Sequence, residues 1–322
     1  MLPTKDRLAI CFAHVAYQMQ ERFLPRLTGI NSFVVRTPDE FERRIGEADV
    51  VVVSGMWRNE LLEKAQRLRF IQSIGAGTDQ FDREKLKQRG IRLASAQGVN
   101  VRAVSEHVMA LILAIARRLP EARDNQVKHV WRGMISDLTQ REDELGGKTL
   151  LIFGLGGIGS RLANLAKAFG MRVIGIKRDP SNSGDAADSV HGFGDLKALL
   201  PQADFVALTC PLTKETEKVI DADALSRMKK SAYLISAARG RCIDEPALIK
   251  ALQDKMVAGA GIDVTGEEPL PSSSPLWDFS NVLITPHTAG ETRRYEENVL
   301  DILTDNLERF WRGESTLRNQ IV

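Results

Sequence analysis

Cysteine is scarce: Cys11, Cys210 and Cys242 are the only three in 322 residues, and no two show C-x-x-C spacing. That excludes a disulfide framework and any evident zinc site, and no metal is expected. A reducing, cytoplasmic compartment suits such a chain. Long hydrophobic runs are missing too. The apolar stretch in MLPTKDRLAICF is too short for a signal sequence, and no run of 18 apolar residues occurs, so no membrane partner is expected. Charge of one sign is also lacking. Forty-four Lys and Arg oppose 42 Asp and Glu, and the net charge of +2 gives no general attraction to nucleic acid or to an anionic membrane. Any electrostatic argument must therefore rest on local charge.

What is present is an alternation of short apolar runs with helical patterns, the mark of β-α-β units and mostly parallel sheets. RLAICF, SFVVR, DVVVVSG, FIQSIGAG and IRLASA read as five strands within the first 96 residues. Between the second and third lies TPDEFERRIGEA, where Thr37 can cap a helix, Pro38 suits its first position and Glu40 completes a capping box. Val101 to Leu119 reads as a long helix with Val104, Val108, Leu111, Ile112 and Ile115 on one face. The charged stretch from Pro120 to Gly147, with Trp131, has no strand of its own and is either a surface arm or dimer contact, or is buried against a neighbouring helix. Further strands are read at KTLLIF, MRVIGI, ADFVALTCP, SAYLISAARG, GAGIDV and NVLITPH, and one last helix ends near Trp311. The fold class expected is α/β, with a first domain of residues 1–99 completed by 290–322 and a second of 100–289.

The second domain opens on a strand, a glycine turn and a helix: TLLIF, Gly154-Leu155-Gly156-Gly157-Ile158-Gly159, SRLANLAKAFG. In this setting Gly154 permits the tight turn, Gly156 lets backbone approach a pyrophosphate and Gly159 allows close helix packing. Such a turn normally hands the ribose to a carboxylate at the end of the next strand. Here MRVIGIKRDP places Lys177 and Arg178 there instead, Lys177 lying 18 positions after Gly159. Two cations offer donors to the extra phosphate of NADP, and one charge-assisted hydrogen bond contributes about 1.5–3 kcal/mol, roughly ten- to hundredfold in preference over NAD. Two alternatives stay open: a solvated cationic loop, or Asp179 reaching the ribose and favouring NAD.

Three other strand ends carry Arg239 (A-A-R-G), Glu268 (D-V-x-x-x-E-P) and His287 (T-P-H-T-A-G). At the carboxyl edge of one parallel sheet they supply an Arg for a carboxylate, a His for proton transfer and a Glu to orient it. In this order and spacing the motifs, together with GVNVRAVSEHVMALILA, resemble the D-isomer-specific 2-hydroxyacid dehydrogenase family over nearly the whole chain. The resemblance implies two doubly wound parallel-sheet domains, a flavodoxin-like substrate domain and a Rossmann nucleotide domain, around a cleft, in a homodimer. It implies that Arg239 binds the 2-oxo acid, that His287 protonates its carbonyl oxygen, and that Glu268 holds the other ring nitrogen. It also places the amides of Gly75-Ala76-Gly77 on the substrate carboxylate, and Val104, Cys210, Pro211, Ala238, Asp263 and Ala289 around the nicotinamide and its ribose. Ser236 departs from the Asn common before the A-A-R-G turn.

The substrate side chain is less legible. Met56 and Trp57 after the third strand can make an apolar wall, Arg58 can receive a second anionic group, and Trp57 can equally be a core anchor. Reduction of glyoxylate, hydroxypyruvate or a larger 2-oxo acid to the D-2-hydroxy acid is the function expected; a nucleotide-sensing corepressor of the same fold is the alternative.

Overall fold

A computed structural model describes residues 2–26, 28–181 and 187–322, and the chain divides into two units, 1–100 with 292–322, and 101–291.

The first unit is built on a parallel sheet in the order β2-β1-β3-β4-β5, from strands Ala9–Ala13, Asn31–Val35, Val50–Val53, Phe70–Ser73 and Arg92–Ala94. All four valines of β3 are buried, as a central strand covered on both faces requires. Val51 and Val53 face a cluster with Phe41 and Trp57, whereas Val50 and Val52 face one with Val299, Leu300 and Leu303. The latter three lie on the C-terminal helix Tyr295–Trp311, which returns to this unit and is pinned by Tyr295 Oη donating to Ile74 O at 2.7 Å. Thr37 caps the helix Pro38–Arg44 by accepting from Glu40 N at 3.2 Å. The return bond differs from a capping box: Glu40 Oε2 accepts from Arg36 N, one residue before the cap.

The second unit holds seven parallel strands in the order β12-β11-β10-β9-β6-β7-β8. They are β6 Thr149–Phe153, β7 Arg172–Ile176, β8 Ser189–His191, β9 Phe205–Leu208, β10 Tyr233–Ser236, β11 Gly259–Ile262 and β12 Val282–Ile284. The chain order reverses on either side of β6, so the glycine turn leaves the sheet at a topological switch point, where open α/β sheets bind ligands. Strand β8, a partly buried edge strand, escapes a reading for apolar runs because Ser189-Val190-His191 holds a single apolar residue.

The helix Val101–Ala116 buries Val104, Val108, Leu111 and Ile112. It stops short of Leu119 because Pro120 cannot continue it: Arg118 turns to φ 50° and a second helix starts at Leu119. Beyond that helix the reading of Pro120–Gly147 as buried against a neighbour is overturned. Trp131 is 96% exposed and Met134 fully so, with Val127, Val130 and Leu138 also open, so residues 127–138 are a surface arm, whereas Leu145 nearer the end of the segment is buried in the core.

Candidate active site

The glycine turn fits a dinucleotide on steric grounds. Gly154 has φ 109°, and a side chain there would stand 2.5 Å from Cys210 N. One on Gly159 would meet Gly154 O at 2.4 Å, whereas one on Gly156 would meet nothing within 4 Å. Two glycines thus close the turn against β9 and the third leaves its outer face open. The helix Gly157–Ala168 begins there, with the N-terminal amides and dipole that suit a pyrophosphate.

At the end of β7, Lys177 is half-buried, its amide donating to His191 O, and Arg178 is exposed. Arg178 Nη2 lies 3.0 Å from Glu215 Oε2 on the segment after β9, an ion pair that the sequence reading did not include. Asp179 is occupied locally. Its Oδ1 accepts from Ser181 Oγ at 2.5 Å and Ser181 N at 3.0 Å, and these bonds hold the carboxyl below its ordinary range. Reaching a ribose would break that turn.

The acid-base residues stand on neighbouring strand ends. Arg239 follows β10 and donates from Nη1 to Ala238 O at 2.8 Å. Gly240 next to it is required by close approach, since a side chain would lie 1.8 Å from Thr265 O. The Arg239 turn therefore presses on the turn after β11, which carries Glu268. Thr265 N donates to Glu268 Oε1 at 3.1 Å, and the other oxygen, Oε2, meets His287 Nδ1 at 2.7 Å. His287 and Glu268 side chains are 48% and 38% exposed, so the pair is open to a ligand. With Nδ1 engaged, Nε2 is the nitrogen left for chemistry.

Asp263, assigned above to the nicotinamide side, is buried with its carboxylate turned into the His287 loop. It accepts from Thr285 Oγ1 at 2.6 Å, Thr288 N at 3.0 Å and Ala289 N at 3.1 Å, while its backbone carbonyl accepts from His287 N at 2.8 Å. Thr285 also meets His107 Nε2 at 2.9 Å. His107 and Thr285 were missed by the sequence reading, although both lie inside quoted motifs: His107 is one helical turn beyond Val104, and Thr285 opens T-P-H-T-A-G. Val104, Ala238 and Ala289 are buried. Cys210 is buried as well, and its thiol donates to Cys242 Sγ at 3.9 Å. That bond lowers the Cys242 thiol from its ordinary value and raises Cys210. The carbonyl of Pro211 accepts from Thr216 Oγ1.

In the first unit Trp57 is 1% exposed, tilted against Phe81 and donating from Nε1 to Asn59 Oδ1. Trp57 and Met56 are both buried in one core cluster of this unit. Arg58 caps its own turn through the carbonyls of Gly55 and Trp57. The turn Gly75-Ala76-Gly77 follows β4 with Ala76 exposed, and none of its three amides is bonded to an acceptor among the described residues.

A switch-point glycine turn opening a helix, beside an Arg, a Glu-paired His and parallel strand ends, defines a nicotinamide-dependent oxidoreductase. Comparison with known proteins makes the class specific. Residues 109–289 match the family model described as the D-isomer specific 2-hydroxyacid dehydrogenase, NAD binding domain, and the chain belongs to that family. It is 36% identical over 305 residues to a glyoxylate/hydroxypyruvate reductase B of Yersinia pestis, covering 92% of each chain. It is also 36% identical over 283 residues to a D-3-phosphoglycerate dehydrogenase of Methanocaldococcus jannaschii, covering 86% of this chain but only 52% of that protein, about half its length. Among solved structures, the TT0316 protein of Thermus thermophilus superposes with a TM-score of 0.85 at 31% identity, covering 98% of this chain and 100% of that one. The chain is thus an NAD(P)-dependent dehydrogenase that interconverts a 2-oxo acid and the D-2-hydroxy acid. No helix among the described residues is long and apolar enough to cross a membrane.

Proposed function

We propose that the protein reduces glyoxylate or hydroxypyruvate with NADPH, larger 2-oxo acids being the next substrates to test. The observation that carries the chemistry is the 2.7 Å contact between His287 Nδ1 and Glu268 Oε2 beside Arg239. Gly154, Gly156, Gly157, Ile158 and Gly159 hold the dinucleotide, and Lys177 with Arg178 takes its 2′-phosphate. When bound, the dinucleotide supplies the hydride. Arg239 binds the substrate carboxylate and carbonyl through its planar fork, a geometry Lys lacks. Imidazolium His287 gives the Nε2 proton to the carbonyl oxygen, and Glu268 keeps the ring oriented and its charge balanced. In the first unit, the amides of Gly75, Ala76 and Gly77 are assigned to the substrate's carboxylate.

The test is NADPH oxidation against a panel of 2-oxo acids, with chiral analysis of the product. Turnover giving the D-hydroxy acid supports the reading. L-product, or no turnover across the panel together with cofactor-dependent capture of a protein partner, overturns it in favour of a sensor.

The exposed apolar side chains of the 127–138 arm support a homodimer through that arm. Trp131→Asp with Met134→Asp should then give monomers by sedimentation, and an unchanged mass would remove the arm from the interface. Three unbridged cysteines suit a cytoplasmic location.

A further inference from the structure

The turn that carries His287 is held in an uncommon conformation. His287 has φ 55°, in the left-handed region that side chains avoid. Such a conformation persists only where the surroundings over-determine it. Here Asp263 does so. Three consecutive amides, those of His287, Thr288 and Ala289, converge on its carbonyl oxygen, Oδ1 and Oδ2 at 2.8, 3.0 and 3.1 Å. The carboxylate can satisfy the Thr288 and Ala289 amides together only if its side chain is fixed. Its Oδ1 also accepts from Thr285 Oγ1 at 2.6 Å.

Hydrogen-bond bookkeeping then fixes a direction. A threonine hydroxyl has one proton, and a carboxylate only accepts, so the Thr285 proton lies on the Asp263 side. Toward His107 the hydroxyl oxygen must therefore accept, and the 2.9 Å contact requires a hydrogen on His107 Nε2. The same nitrogen stands 3.5 Å from Asp263 Oδ1, where a hydrogen is favoured as well. The chain runs one way, from His107 on the helix Val101–Ala116, through Thr285 just after β12, to Asp263 just after β11. Its partners are mostly out of water: side-chain exposure is 22% for His107 and 2% for Asp263.

We propose that His107 is a positioning residue for the acid-base pair: by donating to Thr285 it commits that hydroxyl to Asp263, and Asp263 in turn threads the turn that presents His287 to Glu268. This rests on the reading of His287 as the acid, and it deepens that reading by naming what holds the ring in place. Without the His107 donor, the Thr285 hydroxyl is free to rotate, the carboxylate loses one of its fixed donors and the left-handed turn relaxes.

Two variants of the full chain separate positioning from packing. His107→Leu keeps bulk and removes the donor; His107→Gln returns an N–H near the place of Nε2. In His107→Leu, hydrogen exchange at the Thr288 and Ala289 amides should speed up at least about tenfold. NADPH-dependent reduction should lose about tenfold in kcat, with KM for the 2-oxo acid changed by less than about threefold. The primary deuterium isotope effect with 4-deuterated NADPH should rise, because a misplaced acid slows the chemical step, whereas a loss of folded enzyme lowers kcat and leaves that ratio alone. His107→Gln should restore both exchange and kcat to within about threefold of the parent. Parent-like exchange in His107→Leu overturns the proposal, as does equal damage in both variants, which would make the role one of packing. If the parent protein turns over no 2-oxo acid, the functional reading falls separately, and the exchange experiment still decides whether His107 holds the turn.

Discussion

The two ends of the seven-stranded sheet handle charge in opposite ways. At the β7 end, Lys177 is half-buried and Arg178 exposed, and Arg178 meets Glu215 across a solvated 3.0 Å ion pair. At the β11–β12 end, the buried Asp263 anchors three successive amides, one on its backbone carbonyl and two on its carboxylate, together with a hydroxyl, and His287 is set against Glu268 in a strained turn. On the proposed function, the difference follows from the tasks. Discriminating a phosphate from a hydroxyl needs a field, which falls off slowly and tolerates loose side chains. Proton transfer needs a nitrogen placed within hydrogen-bond reach, and misplacement by about 1 Å can cost about a hundredfold. One end can thus be changed gradually, whereas the other fails abruptly.

The largest effects should come from the rigid end. On the proposed function, His287→Ala removes the proton donor, and kcat for reduction should fall by about 10²- to 10⁴-fold while NADPH affinity, measured by fluorescence, stays within about threefold. Loss of cofactor binding on the same scale would place His287 in the nucleotide site and erase the contrast. Arg239→Lys keeps the charge and loses the fork, and should lower kcat/KM by about a hundredfold, again with little change in cofactor affinity. Unchanged kinetics would remove Arg239 from the site. At the loose end, Lys177→Asp with Arg178→Ala should lower the ratio of kcat/KM for NADPH over NADH by at least about tenfold, about 1.4 kcal/mol. That variant should leave kcat at saturating cofactor nearly intact, and a collapse of kcat would show that the two ends are not independent.

The same contrast decides what could be read from the sequence. Every strand but β8 overlaps one of the apolar runs or quoted motifs, because strands of a parallel sheet are rich in apolar residues. Strand β8 could not be read that way, because Ser189-Val190-His191 holds a single apolar residue. Glycine roles were legible because backbone contact leaves no room for a side chain, as at Gly154 and Gly159. Arg239, Glu268 and His287 stand in motifs whose chemistry is explicit in their side chains. Trp57 was ambiguous since an indole serves a core or a pocket equally well, and its burial could not be read from the sequence. His107, Thr285 and Glu215 were invisible for another reason. Each acts through a partner far away in the chain, 178 residues between His107 and Thr285 and 22 between Thr285 and Asp263, and no local pattern records such a pairing.

The smallest effect expected is the most specific test of the loose end. Glu215 faces Arg178, so it competes with a 2′-phosphate for that guanidinium and adds a negative charge close to where the phosphate is assigned. Exposed pairs of this kind contribute up to about 1 kcal/mol, which bounds the change at about fivefold. Glu215→Gln keeps the shape and removes the charge; NADPH affinity should rise by about two- to fivefold and NADH affinity should stay level. The gain should shrink as salt is raised from low to physiological ionic strength, where the Debye length falls to about 8 Å. Thermal stability should hardly move, both side chains being more than half exposed at 66% and 58%. A fall in NADPH affinity would mean that Glu215 holds Arg178 in its binding pose, reversing the competition argued here. No change at low salt would mean that Arg178 does not reach the phosphate, and the NADP preference would then rest on Lys177.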